Sequence, residues 1–312
     1  VFTRRIAQGH IRDCHGDLHP GNIAVYQGRP RIFDCIEFNP EYRAIDTLSD
    51  AAFLVMGLEA HGYADLAFRF LSRYLEHSGD YDAIPLLSLF LCYRATVRGK
   101  VACLLAEDAS ISNAVKSSKL AEAAQYFTLA SDYLNKPSPA CEHVGGQHIV
   151  SLHAVGGLSG SGKSHLSLLG CGVEGAIIIR SDATRKRIAP QYSDLPLYSD
   201  AMHRLTYQAM FDAAAAVLKA GWAVILDATF LSADERQRAR DLAAASNTPF
   251  RFIWLDVPEE RLRHNVRQRG LQDRDISDAD ITVLEGQLAN YHRPDEQDIL
   301  YLTSADTWPQ QH

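Results

Sequence analysis

An eight-residue segment rich in glycine carries the most specific chemical pattern in this sequence. Between positions 157 and 164, GLSGSGKS fits the Walker A pattern G-x-x-x-x-G-K-[ST] in full, and an apolar stretch precedes it. Glycines let backbone N–H groups point at phosphate oxygens, and the N-terminus of the following helix adds partial positive charge. We therefore predict a phosphate-binding loop (P-loop), in which Lys163 contacts the β- and γ-phosphates of ATP and Ser164 binds Mg²⁺. The predicted cofactor-binding residues are Gly157, Leu158, Ser159, Gly160, Ser161, Gly162, Lys163 and Ser164.

Two aspartates follow predicted strands in the same half of the chain. Asp182 comes shortly after the apolar run Ala176–Ile179, and Asp227 ends the run Ala223–Asp227. Ligands of open α/β sheets bind at the carboxyl ends of strands, so both side chains should lie near the glycine-rich loop. There Asp227 could hold Mg²⁺ and Asp182 could accept a proton from an attacking hydroxyl. The alternative for each is a structural role as a helix cap.

Several arginines lie in and just after one predicted helix, and they are Arg263, Arg267, Arg269 and Arg274. Arginines that close over a transferring phosphoryl group stabilise its spread charge. Solvated arginines on helix surfaces are common, which is the alternative for each of these. The polar stretch after the helix, Leu271–Asp280, could form a lid.

A second pattern lies near the start of the chain. His15, Asp17 and Asn22 fit the phosphotransferase loop H-x-D-x-x-x-x-N, and a short predicted strand leads to Asp34. In such a loop the aspartate accepts the proton of the substrate hydroxyl, and the asparagine and the later aspartate hold Mg²⁺. Each residue alone is a weak signal, because Asp and Asn in turns usually have structural roles. Together the three predict a kinase-like site.

The elements around these motifs predict two different kinds of domain. Residues 1–136 contain long amphipathic helical patterns after their first strands, whereas residues 148–312 alternate apolar strands with helices. The alternation predicts the α/β class, with a parallel sheet covered by helices on both faces. Residues 137–147 are rich in proline and glycine and predict a linker. Gly170 and Gly172 predict a shortened helix after the phosphate loop.

Composition limits the classes of function and location. The chain has 312 residues and a net charge of −7, and both halves are acidic, which argues against a general nucleic-acid binder. No apolar run is long enough to span a bilayer and no signal peptide is visible, so we expect no membrane partner. The six cysteines form no C-x-x-C pair, which favours reduced thiols in the cytoplasm. Because the sequence starts at Val1, we expect further residues upstream.

The second half resembles the small P-loop kinases related to polynucleotide kinase, zeta toxin and chloramphenicol phosphotransferase. The matching segments are GLSGSGKS, RSDATRKR, ILDATF and RQRGLQDRDISDAD. The resemblance implies that Asp182 is the general base and that Arg267 and Arg269 stabilise the transferring group.

The first half resembles the aminoglycoside phosphotransferase family, which shares the protein-kinase-like fold. The matching segments are CHGDLHPGNI, RIFDCIEF and AIDTLSDAAF. With YRATVRGKV and the order of the halves, the whole chain is similar to bacterial proteins described as bifunctional aminoglycoside phosphotransferase and ATP-binding proteins. Few residues precede His15, so we expect the kinase-like C-lobe without the N-lobe that grips the nucleotide.

These observations predict an ATP-dependent phosphotransferase that acts on an alcohol group. Its partners would be Mg·ATP and a small molecule bearing a hydroxyl; the residues identify neither the acceptor nor the oligomeric state. The alternative is a regulatory protein that binds ATP, with the kinase-like half serving as a degenerate ligand-binding module.

Overall fold

The chain folds into two compact units. The computed structural model describes residues 1–135, 150–270 and 281–309. The first unit consists of Val1–Leu71 and Ala83–His148, and the second of Ser72–Asp82 and Ile149–His312. The second unit therefore includes a short segment that the sequence patterns assigned to the first half. The predicted linker at 137–147 lies outside the described residues.

Helices dominate the first unit. Its helices are α1 (Phe2–Ala7), α2 (Thr47–Ala60), the first part of α3 (Ala64–Ser78), α4 (Leu87–Glu107) and α5 (Asn113–Asn135). Its strands form two antiparallel pairs, β1 (Ile11–Asp13) with β4 (Ala44–Asp46) and β2 (Ile23–Tyr26) with β3 (Arg29–Ile32). Helix α4 packs against α2 and α5, and α2 is buried along most of its length.

A buried ion pair fixes the start of α2. Arg5 donates to Asp46 at 2.5 and 2.8 Å, and both side chains are almost fully buried. Asp46 also caps the helix, because its carboxylate accepts a hydrogen bond from the backbone N–H of Leu48 at 2.9 Å. One carboxylate thus joins the N-terminal helix, strand β4 and the central helix of the unit.

A five-stranded parallel sheet forms the centre of the second unit. The strand order is β6-β7-β5-β8-β9. The strands are β5 (Leu152–Gly157), β6 (Ala176–Arg180), β7 (Ala223–Asp227), β8 (Phe250–Leu255) and β9 (Ile299–Leu302). Every residue of β5, β6 and β7 is buried, as expected for parallel strands that are covered on both faces. The predicted α/β fold with a parallel sheet is confirmed.

Helices connect these strands and flank the sheet. They are α6 (Lys163–Glu174), α7 (Ser181–Ile188), α8 (Asp200–Lys219), α9 (Ala233–Ala245), α10 (Glu259–Gly270) and α11 (Ile281–Ala289). Ser199 and Ser232 cap α8 and α9 through their side chains. In the described part of the chain, no helix combines the length and the apolar character that crossing a membrane requires.

The prediction of a shortened helix after the phosphate loop was wrong. Helix α6 runs for 12 residues, close to the mean for globular proteins, and passes through Gly170 and Gly172 without a break. The reason for the first glycine is packing, because a Cβ at Gly170 would lie 2.4 Å from the ring of Trp308. The Trp308 indole N–H also donates to Glu174 at the end of the helix, at 2.7 Å.

The segment Ser72–Asp82 covers strand β6, which lies at one end of the described sheet. The hydroxyl of Ser72 accepts a hydrogen bond from the backbone N–H of Ile178 at 3.0 Å, which satisfies a strand donor. Farther along, the guanidinium of Arg187 lies over the ring of Tyr81 at 5.8 Å. Strand edges expose unpaired backbone groups, so this segment helps to complete the second unit.

We predict that Gly170→Ala destabilises the second unit, because the added methyl group cannot fit against the Trp308 ring without displacing it. Overpacking of this kind costs about 1–3 kcal/mol in unfolding free energy. Urea unfolding followed by circular dichroism measures the change.

The matched control is Gly286→Ala in α11, where nothing lies within 4 Å of the added Cβ. That change should stabilise the helix by up to ~1 kcal/mol. Equal stability of the Gly170→Ala variant and the wild type would contradict the packing role.

Candidate active site

The glycine-rich loop between β5 and α6 has a backbone shape that depends on its glycines. Gly157, Gly160 and Gly162 have φ angles of 140°, 83° and 93°, which side chains with a Cβ rarely adopt. Neighbouring backbone leaves no space either, because a Cβ at Gly160 would lie 2.7 Å from the carbonyl oxygen of Leu262. The loop therefore has the compact, backbone-lined form that cradles a phosphate chain.

Polar contacts hold this loop from several directions. Lys163 donates from Nζ to the carbonyl oxygen of Leu158 at 2.9 Å, which keeps its ammonium group over the loop. Two amide side chains also hold it: Asn265 donates to the Gly160 carbonyl at 2.8 Å, and Gln287 accepts from the Ser159 N–H at 2.9 Å. Neither amide was identified from the sequence, because each lies more than a hundred residues from the loop.

A cleft of about 640 Å³ opens beside the loop. It brings together seven of the residues predicted from sequence, namely Ser159, Gly160, Gly162, Lys163, Ser164, Asp182 and Asp227. The other residues that line it are His165, Arg180, Ser181, Arg185, Tyr198, His203, Thr229, Leu231, Asn265, Gln268, Val283 and Gln287. Hydroxyl, amide and charged groups thus surround one space next to the phosphate loop.

Asp182 and Asp227 do not serve as the helix caps that the sequence left open. Asp182 lies in the first turn of α7, whose N-cap position is Arg180, and its carboxylate pairs with Arg185 at 2.9 Å. Asp227 ends β7 and is buried, whereas α9 is capped by Ser232. Both carboxylates are therefore placed at the carboxyl edge of the sheet, where ligands of such sheets bind.

An arginine and a glutamate that sequence reasoning missed also belong to this edge. Arg180 ends β6 and lies opposite Asp227 in the strand register. Glu76, from the segment that covers β6, accepts from its Nε at 2.5 Å and from its Nη2 at 2.7 Å. Burial raises the pKa of the Glu76 carboxyl, and the positive charge of Arg73 opposes this rise, so its charged form depends on neighbouring cations. No local sequence pattern connects Glu76 with Arg180.

The predicted arginines of α10 are only partly placed. Arg267 is exposed and does not line the cleft, although Asn265 and Gln268 of the same helix do. Arg263 pairs with Glu259 and Glu285 instead. The side chain of Arg269 and all of Arg274 lie outside the described residues. The roles of Arg267 and Arg269 stay predictions.

The described donors fit Mg²⁺ only when phosphate oxygens complete its coordination. Ser164 and Asp227 supply a hydroxyl and a carboxylate to the cleft, which are hard oxygen donors. Within residues 1–135, 150–270 and 281–309, no group of three or more His, Cys, Asp or Glu side chains is arranged to hold a metal. Mg²⁺ is usually bound through one or two carboxylates together with phosphates of the substrate.

The first unit contains a separate loop in which Asp17 and Asn22 are in contact. Asn22 donates from Nδ2 to the Asp17 carbonyl at 3.0 Å and to its Oδ2 at 3.1 Å. His19 lies 3.4 Å from the same Oδ2. A hydrogen bond from His19 lowers the pKa of Asp17, and the contact with Asn22 contributes. The loop thus keeps the Asp17 carboxylate charged.

Two buried side chains hold this loop from the helices behind it. Asp50 of α2 accepts from the backbone N–H groups of His15 and Gly16 at 3.0 and 2.9 Å. Arg94 of α4 donates to the carbonyls of Gly16 and Ser49 at 3.2 and 3.1 Å. Both residues fall in segments that carried the family resemblance, but motif spacing alone did not assign them a role.

Backbone contacts of a neighbouring residue place Asp34 beside this loop. The N–H of Phe33 donates to the Asn22 carbonyl at 3.1 Å, and the His15 ring nitrogen Nε2 lies 2.9 Å from the Phe33 carbonyl. Asp34 is exposed and has a φ of 61°, which is uncommon for a residue other than glycine. The structure therefore brings the backbone of Asp34 to the Asp17–Asn22 loop, and its role as a metal ligand stays a prediction.

Comparison with known proteins gives one family match, to the second unit. Residues 152–294 match the family model described as "AAA domain". Uncharacterized proteins of Mycobacterium tuberculosis and Mycobacterium bovis are 34% identical over 256 residues, which is 80% of this chain and 48% of theirs. The aligned length exceeds either unit, so it includes residues of both. The chain spans about half the length of these curated relatives.

Solved structures with detectable likeness cover about half of the chain. A gluconokinase from Sinorhizobium meliloti is 20% identical with a TM-score of 0.39, covering 51% of this chain and 86% of the gluconokinase. The APS kinase of Mycobacterium tuberculosis, solved with AMPPNP and APS, is 23% identical with a TM-score of 0.38, covering 51% and 93%. A putative kinase from Chloroflexus aurantiacus has a TM-score of 0.41 at 17% identity, covering 52% and 88%.

We predict that His19→Gln raises the pKa of Asp17 toward its ordinary value, because the largest cause of the lowered pKa is removed. Because the pKa of Asp17 is lowered in the folded state, its charged carboxylate stabilises the fold at pH values above its ordinary pKa. This contribution is lost as the pH falls through the lowered pKa. The difference in unfolding free energy between variant and wild type should therefore shrink in acid. Carboxyl-carbon NMR titration of Asp17 measures the pKa directly. The control is His292→Gln, an exposed change in the second unit. An unchanged Asp17 titration in His19→Gln would contradict the assignment.

Proposed function

We propose that the second unit is an ATP-dependent phosphotransferase, a kinase that transfers the γ-phosphoryl group to the hydroxyl of an acceptor. The observation that carries the proposal is the cleft, in which the glycine-rich loop, Lys163, Ser164 and two carboxylates at strand ends face one space. A nucleotide-binding loop alone would fit many activities. The Asp182 carboxylate lies beside that loop and does not cap a helix. It is therefore available to accept a proton, which favours group transfer to an alcohol.

Each group would act mainly by position and charge. The loop amides and Lys163 hold the phosphate chain, and Lys163 neutralises charge on the β- and γ-phosphates. Asp182 receives the proton of the acceptor hydroxyl as the new phosphate ester forms. Ser164 and Asp227 would hold Mg²⁺, which neutralises charge on the phosphates when bound. Tyr198 and His203 also line the cleft, where an acceptor would contact them.

We also propose that the loop of the first unit descends from a kinase-like catalytic loop of the aminoglycoside phosphotransferase type. The contacts between Asp17 and Asn22 support this, because they bring the proposed proton acceptor and metal ligand together. Asp34, next to the loop in the backbone, would be the second metal ligand. In the alternative function, an ATP-binding regulator, this loop would serve as a degenerate ligand site.

The first prediction of this proposal concerns ATP binding. Lys163→Ala should weaken binding of Mg·ATP by about 10- to 100-fold, because it removes a charge-assisted hydrogen bond to the phosphates. Isothermal titration of the full chain with Mg·ATP measures the affinity. Lys219→Ala, an exposed lysine at the end of α8, is the matched control and should bind as the wild type does. If Mg·ATP binds equally well to Lys163→Ala and wild type, or to neither, the proposal fails.

The second prediction separates an enzyme from an ATP-binding regulator. Asp182→Ala should lower turnover by about 10²- to 10⁴-fold, the usual contribution of a general base, and should leave Mg·ATP affinity unchanged. The measurement is ADP formation with water and with a panel of polyols as acceptors. Asp194→Ala, which changes an exposed aspartate outside the cleft, controls for loss of charge. Turnover that survives Asp182→Ala would contradict the role of Asp182 as the general base, whereas no turnover in the wild type with any acceptor would favour the regulator.

A further inference from the structure

The strongest unassigned feature is the buried carboxylate of Glu76. It is 5% exposed, and both of its oxygens are engaged by guanidinium groups. Arg180 binds it at two points, and Arg73 adds one contact to Oε2 at 3.0 Å. All three residues belong to the second unit. Burying a carboxylate carries a large desolvation cost. The three contacts from guanidinium groups to this one carboxylate therefore indicate that the position of its partner matters.

Arg180 is the partner whose position affects the cleft. Its side chain is 10% exposed and lines the cleft. Nε and Nη2 are used by Glu76, whereas among the described residues Nη1 has no hydrogen-bond partner and is not enclosed. Because a guanidinium is planar, fixing one edge at two points also fixes the direction of the remaining N–H groups.

The place of Arg180 in the sheet shows what these remaining N–H groups can reach. It ends β6 directly opposite Asp227 in the register, and Asp182 follows two residues later. The same cleft is lined by Lys163 and Ser164. A donor here faces the space between the phosphate loop and the proposed base, which is where charge spreads over a phosphoryl group in transfer.

We propose that Glu76 is a positioning residue, which holds Arg180 so that its free N–H edge contacts the phosphoryl group during transfer. The inference rests on the proposed function and deepens it. Arg180 supplies donors to the equatorial phosphoryl oxygens, and Glu76 prevents it from turning toward Asp227 or Asp182. Without Glu76, Arg180 keeps its positive charge, but its guanidinium no longer has a fixed orientation.

The test compares two ligands that differ at the position of the transferring group. Mg·ADP lacks that group, whereas Mg·ADP with aluminium fluoride places a planar, charged mimic there. In the wild-type chain we expect the second combination to bind more tightly. Glu76→Gln should reduce that affinity by about 10- to 100-fold, the range for residues that orient a site indirectly, and leave Mg·ADP affinity within about twofold.

Two further variants keep the test decisive. Arg180→Lys retains the charge but not the two-point contact, so it should show the same selective loss even if Glu76→Gln fails to fold. Lys219→Ala, which changes an exposed lysine at the end of α8 outside the cleft, is the control and should leave both affinities unchanged. Equal loss of both ligands in Glu76→Gln and in Arg180→Lys would overturn the inference by showing a purely structural pair, and so would no loss in either. A wild type that binds no Mg·ADP would instead overturn the proposed function, and this inference with it.

Discussion

The second unit depends on the close approach of backbone to backbone where β5 ends. Gly157 and Gly160 lie against carbonyl oxygens of Leu255 and Leu262, and their φ angles are positive, so both positions exclude side chains. That packing ties the phosphate loop to β8 and α10 at once. Because the sheet is parallel, the same edge also collects the ends of β6 and β7. The functional groups of the cleft lie close together because these strand ends share one edge of the sheet.

Sequence alone could identify the parts of this site that depend on local spacing. The glycine-rich loop and the two aspartates are recognisable because each lies within three residues of the end of an apolar run. The amides that hold the loop, Asn265 and Gln287, carry no such signal, since their contacts depend on the fold of the sheet. The same reason explains why the prediction of a shortened helix α6 was wrong. Gly170 is required because it packs against the ring of Trp308, which lies 138 positions later in the chain.

The first unit shows the same division between local and distant information. The contact between Asp17 and Asn22 was predictable from their spacing, because a short loop brings them together. The groups that hold the loop rigid, Asp50 and Arg94, come from two helices and required the structure. Arg94 is buried and also lies over the ring of Phe53 at 4.8 Å, so packing and hydrogen bonding place it together. The two units thus present polar loops on helical and on sheet-based scaffolds.

The assignment of Ser72–Asp82 to the second unit affects how the protein can be divided. No single cut between residues 83 and 148 yields both units intact, because one chain segment of the second unit precedes helices α4 and α5 of the first unit. A fragment that begins at Ile149 would lack the hydroxyl that satisfies β6 and the carboxylate that holds Arg180. The two halves are therefore not interchangeable modules, and recombination that shuffled them would separate a strand from its cover.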